Sequence, residues 1–292
     1  MLNAHASMLL WALLVALSFF AAAEVNPALD ALPLTALRLL LSAAMFLPFL
    51  LRRPSLPNGR ALTAHAVLGL LLALYFGSLF EALKHTTALD TALLYVSVPL
   101  LTLAGERLML RRPVLQRLWP TLVAALGALA LLGLDRAHFD AYAYGLYGLG
   151  CLAMALYAPL SQRLKPWLGE QRSAASLACG NLLAGGLLLA LASTLGQRWE
   201  GLRGVSTSDF AWLLYLALSA TLATFWLLHR AIHSLPPATV IAYSYLSGLF
   251  ALLLQSAWLD RAPAPLAWAG ALLILFGMAW LVRLSPARVA KV

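Results

Sequence analysis

Charge is what this chain has least of. Of its 292 residues, 11% are charged and 62% are hydrophobic, whereas soluble domains run near a quarter charged. A water-soluble fold of this size would have too few charges to cover its surface. Cysteine is scarce too. Cys151 and Cys179 both fall inside apolar runs, which reads as two small core residues with no disulfide and no metal. There is no HExxH, no GxSxG, no Walker A and no glycine-rich nucleotide fingerprint, so an intramembrane hydrolase or an ATP-driven pump has no support, and no cofactor is expected. The residues before Met8 include no Lys or Arg, only His5. That argues against a secretory signal, although Ala21-Ala22-Ala23 could mimic a cleavage site.

What the chain does have is apolar runs of one length. They cover Met8–Ala23 and then, approximately, 31–51, 62–81, 86–105, 117–134, 142–164, 173–195, 210–229, 236–257 and 265–284. Each is near the ~20 residues a helix needs to cross ~30 Å of hydrocarbon. Backbone groups in lipid must pair within their own segment, so all ten should be helices. The breaks carry proline, glycine and charge: Arg52-Arg53-Pro54, Arg111-Arg112-Pro113, Lys165-Pro166, 201–204, Pro236-Pro237 and Ala262-Pro263.

The net charge of +9 could suggest nucleic acid, but its placement fits a membrane orientation instead. With the amino terminus inside, fourteen of the twenty Lys and Arg residues fall in inner segments and five in outer ones; Arg38 lies within a span. Such a bias in short loops is a positive-inside signal and puts both termini in the cytoplasm. Ten spans divide into two fives. Five is odd, so the second set starts from the opposite side, which is the arithmetic of an inverted repeat. The expectation is an all-α integral membrane protein, ten transmembrane helices in two inverted five-helix repeats (1–140 and 141–292) around a central cavity.

The stretch 81–105 shows what such a cavity would use. Thr87, Thr91, Tyr95 and Thr102, spaced 4, 4 and 7, share one face of span four. Pro99 lies within that span. A cousin at 231–255 repeats the short polar turn and places Thr239, Tyr243 and Ser247 at spacing 4.

Certain residues add a resemblance. Leu37-Arg38-Leu39 in span two, Ala82-Leu83 entering span four, Pro99, and the stretch from Ala238 through Leu259-Asp260 resemble the drug/metabolite transporter superfamily, in particular its EamA-type members. The resemblance covers about the whole chain. The aromatic-rich core and length are most similar to exporters of the YddG type, which implies release of aromatic and other apolar amino acids from the cell.

Candidate pathway residues follow from the spans. Trp11 and Ser18 are spaced 7 in span one; Tyr75 and Ser78 share a face in span three; Thr91 and Tyr95 do so in span four. Met154 and Tyr157 lie just before Pro159 in span six, Ser219 and Trp226 are spaced 7 in span eight, and span nine holds Tyr243, Ser244, Tyr245 and Ser247. For any one of these, an interfacial belt or helix-packing role competes. As a set they need water or partners that lipid does not provide. Arg38 and Asp90 are charges inside the apolar runs rather than at their ends. Arg38 is about 7 residues, or ~10 Å, from the outer end of span two. It would either attract a substrate carboxylate or form a structural pair with Asp90 at similar depth in span four, or snorkel outward. Pro99, Pro159, Pro236-Pro237 and Gly248 are where spans could bend. Span one carries no carboxylate, so proton exchange of the kind small multidrug antiporters use there is not supported. Glu106, His229 and His233 read as interfacial charges rather than a relay.

The functional expectation is a non-enzymatic secondary transporter in the inner membrane, a monomer that takes a small-molecule substrate, meets lipid and binds no nucleic acid. The alternatives are an exporter of drug-like or other small metabolites and, from another class, a scaffold or enzyme with a dry core. The last predicts Tyr75, Tyr95 and Tyr243 packed against one another.

Overall fold

A peptide group in hydrocarbon has only its own helix to bond with, and every apolar run described in the computed structural model is helical. Described are residues 2–51, 58–111, 113–132, 140–168, 174–224, 226–227, 231, 240, 242–258 and 265–284. Spans one to three are α1 (Leu2–Ala23), α2 (Ala31–Leu51) and α3 (Gly59–Ala82). Span four is split into α4 (Ala88–Tyr95) and α5 (Val98–Leu110). Spans five to seven are α6 (Leu115–Leu132), α7 (Ala141–Leu168) and α8 (Ala174–Leu195). Span eight opens as α9 (Thr207–Ala217) and continues as a π-helix over Leu218–Ala223; span nine contains α10 (Ser244–Trp258) and span ten is α11 (Pro265–Leu284). Of the residues singled out above, Arg52, Arg53, Pro54, Arg112, His229, His233, Pro236, Pro237, Ala238, Thr239, Leu259, Asp260, Ala262 and Pro263 lie outside the described residues.

Local chemistry sets the ends. Asn58 caps α3 by accepting from the Ala61 amide at 2.8 Å. Thr87 with Asp90 opens α4, and Ser206 with Asp209 opens α9, each as a reciprocal capping box. Span four breaks at Val96-Ser97, where the amides turn back to Leu93 and Leu94. Pro99 follows at the start of α5; it has no amide to continue a ladder, so a helix start suits it. Pro159 has a milder effect, since α7 runs through it without interruption.

The packing repeats itself when five is added to each span number. Span two packs on seven, four on nine, and five on ten; three packs on six as eight packs on one; four packs on six as nine packs on one. With an odd number of crossings in each half, this is the pairing pattern of an inverted repeat. The seams close where side chains are missing. A Cβ on Gly127 would come within 2.5 Å of the Gly270 carbonyl oxygen, and one on Gly270 within 2.6 Å of that of Gly127. Gly69 and Gly185 meet in the same way between spans three and seven. Small residues let membrane helices approach this closely.

The two faces are tied differently. On the face where the chain begins, hereafter the near face, Glu106 of α5 pairs with Arg117 of α6 at 3.2 Å. On the far face the loop between spans one and two is held to the second half. The Asn26 amide donates to Asp209 Oδ1 at 2.8 Å, and the Asp30 amide to the Gly201 carbonyl at 3.3 Å.

Candidate functional site

Where spans one, two, three, four and six converge, the chain has placed rings. Tyr75 is the hub. Its ring lies 5.7 Å from Tyr95, 6.0 Å from Tyr147 and 4.9 Å from Phe76, while Phe19 meets Tyr95 at 5.6 Å. All five are buried. The Tyr147 hydroxyl donates to that of Tyr75 at 3.5 Å, and the Cys151 thiol lies within bonding reach of Tyr147 and Ser97.

Arg38 sits at the edge of this cluster, 1% exposed. Its guanidinium carbon lies 4.2 Å from the centre of the Phe76 ring and 5.6 Å from that of Phe80. Its Nε and one terminal nitrogen have no hydrogen-bond partner. The pair with Asp90 is not made. Asp90 lies in the first turn of α4, where its carboxylate takes the hydroxyls of Thr86 and Thr87 and the Thr87 amide. A capping carboxylate is held at the helix end, whereas Arg38 is about seven residues inside α2, roughly 10 Å deep. Nor does Arg38 snorkel outward.

Other expected pathway residues scatter. Ser78 and Thr91 are buried close to the cluster's elements but spend their hydroxyls on carbonyls of their own or the preceding turn. Ser18 does the same with Val15, and Ser247 with Ser244. Trp11 is buried in span one, and Ser244 in span nine. Tyr243 does not join Tyr75 and Tyr95; its hydroxyl meets His5 Nδ1 at 2.6 Å. Trp226 is a correction. It is 59% exposed, on the lipid-facing side of span eight, because the π-helix before it adds residues to the turn and shifts the face that a spacing of 7 from Ser219 implies. Gly248 presses on Val96 at the break in span four, and Pro159 on Gly105.

Tyr157 belongs to a chain that the sequence reading did not contain. Asn181 Nδ2 donates to its hydroxyl at 2.7 Å, and Asn181 Oδ1 meets His65 Nδ1 at 2.7 Å. His65 and Asn181 are buried, in spans three and seven. Tyr147 was missed as well. Its spacings of 4 to Cys151 and 7 to Met154 would have placed it on the face already assigned to Met154 and Tyr157.

Where a solvated cavity is expected, the described residues place the contacting rings of Tyr75, Tyr95 and Tyr147. Hollows flank these rings. One of about 60 Å³ opens toward the far face between Ala22, Asn26, Leu34, Phe80 and Lys84. One of about 10 Å³ lies toward the near face among Pro99, Thr102, Glu106, Arg117 and Thr121. Among the described residues, no group of three His, Cys, Asp or Glu side chains is placed to hold a metal.

Fold and site together define a helical membrane protein of two five-helix repeats with polar groups held at depth between them. A sequence profile fits it twice: that of the EamA-like transporter family matches residues 2–134 and 142–283. The chain belongs to the EamA-like transporter family. A protein of known crystal structure with 21% identity shares the fold at a TM-score of 0.70, over 97% of this chain and 96% of that one. No curated protein matches the sequence.

Proposed function

We propose that this transporter exports aromatic and other apolar amino acids across the inner membrane by alternating access, with both termini in the cytoplasm. The observation that carries the reading is the buried ring cluster of Tyr75, Tyr95, Tyr147, Phe19 and Phe76. Rings and hydroxyls at one depth suit a substrate with an apolar side chain and a polar backbone end. Sugar nucleotides would need several basic contacts at depth, and Arg38 is the cation that the ring cluster includes. The packed rings are the closed form of the pathway. The halves, divided near residue 140, rock so that Tyr75 and Tyr147 part, and bending at Val96-Ser97 opens one face at a time. The bias of Lys and Arg toward the near face supports cytoplasmic termini. The protein works as a monomer and catalyses no covalent step.

Proteoliposomes preloaded with unlabelled phenylalanine, threonine or methionine and supplied with the labelled compound outside give the test. Protein-dependent counterflow of at least one is expected, and its absence for all three rejects the amino acid reading. Export of drug-like apolar cations is the second reading. It is disfavoured by the unpaired guanidinium beside the rings, which repels a cation. Competition between phenylalanine and such a compound separates the two.

A further inference from the structure

Arg38 departs from the usual rule for charges held within a membrane. A cation at depth in a membrane protein is expected to be paired, or to face water or a substrate. Arg38 is 1% exposed, has two buried nitrogens without a hydrogen-bond partner, and forms no ion pair among the described residues. Two phenylalanine faces partly compensate the charge, yet cation–π contacts leave the in-plane donors unused. A guanidinium keeps its proton and presents a planar fork that matches a carboxylate.

The far-face hollow lies next to this group. Phe80 both lines the hollow and covers the guanidinium, and Leu34, one turn before Arg38, lines it too. A second orphan lies on an element that packs against α2. The Ser219 hydroxyl is buried without a partner in the π-helix, and α2 packs on that π-helix.

We propose that Arg38 is a carboxylate-binding subsite, reached from the far-face hollow when Phe80 swings aside, and that it holds the acidic end of the substrate while the tyrosine cluster holds the apolar end. This deepens the export reading above and names the chemistry it requires: an organic acid or zwitterion of small size with an apolar tail.

Thermal unfolding of the full-length protein in detergent micelles tests the subsite without relying on transport. The probes are phenylacetate and phenethylamine, which share a ring and differ in the charged end. Phenylacetate should raise the wild-type Tm in a concentration-dependent way, and phenethylamine should not. In Arg38→Gln the apparent affinity for phenylacetate should fall on the order of tenfold or more, while the unliganded Tm stays level or rises, because an unpaired buried charge has gone. Arg38→Lys should bind more weakly than wild type but still prefer the acid. Equal shifts from acid and amine, no shift from either, or an undiminished phenylacetate response in Arg38→Gln would each overturn the subsite. So would a large drop in the unliganded Tm of both variants, which is the mark of a structural strut. Acid binding at Arg38 without amino acid counterflow would keep the subsite and reject the exporter reading.

Discussion

Two arginines among these helices, Arg38 buried and Arg117 partly exposed, have opposite surroundings. Arg117, near the near face, finds Glu106 at 3.2 Å, and the Glu106 carboxylate is 3% exposed. Arg38, nearer the far face, finds rings and no carboxylate. The first has the partner that a structural charge needs. The second is left with donors that only something from outside the fold can satisfy. The difference separates a charge that holds helices together from one kept ready for a ligand.

Substitution at Arg38 should give the largest effect and could break that contrast outright. Arg38→Gln is expected to lower phenylalanine counterflow by roughly 100-fold, the scale of a lost charge-assisted hydrogen bond, with no loss of Tm. Equal damage to flux and stability would make Arg38 a second Arg117. Glu106→Gln is the mirror experiment. It leaves Arg117 unpaired and should destabilise by about 2 kcal/mol; a fully buried pair would lose more, but the Arg117 side chain is 23% exposed. The double variant Glu106→Gln with Arg117→Gln should recover most of that loss in a denaturation cycle.

Asp209 sharpens the comparison with a buried anion that is fully partnered, in the capping turn at the start of α9. Hydrogen bonds from the Ser206 hydroxyl and the Asn26 amide hold its carboxyl below the usual carboxylate range, against the opposing effect of burial. A lowered folded-state pKa means that its stabilisation is complete above the unfolded value and drains away as pH falls through the folded one. Wild type should therefore lose stability below about pH 4, and Asp209→Asn should lose about 1 kcal/mol at neutral pH and respond less to acid. Melting curves at several pH values read both. The smallest effect belongs to an exposed pair. Arg203→Ala, which removes the partner of Glu200, should move stability by less than about 0.5 kcal/mol.

Much of the fold was legible because hydrocarbon imposes one rule on every segment. Run length, the proline and glycine breaks and the odd count per half are all properties of the string, and they lead to ten spans in two repeats. The site was legible only in part. Tyr75 and Tyr95 were recognisable as mid-span hydroxyl-bearing rings. One partner of Arg38 was legible in principle: Phe76 lies six residues from the end of α3, at a depth matching that of Arg38. Asp90 misled because a carboxylate inside an apolar run looks like a counterion, while Thr87 three residues earlier marks it as a cap. Trp226 misled because spacing assumes an unbroken α-helix, and nothing in the composition of 218–223 announces a π-turn. The mutual contact of Tyr75, Tyr95 and Tyr147 was not legible at all. A stripe of hydroxyls and rings is compatible with an open or a filled pathway, and which one holds depends on how far apart the helices stand.

The glycine contacts between spans five and ten have a mechanical consequence. At Gly127 and Gly270 backbone already touches backbone, so sliding or closer approach there would force main chain against main chain. The same meeting at Gly69 and Gly185 pins spans three and seven. Side-chain contacts, such as Val96 against Gly248 at the break in span four, can yield by rotation about single bonds. The bundle is thus stiff along its glycine joints and pliant where span four meets span nine, like a hinge pin with one free leaf.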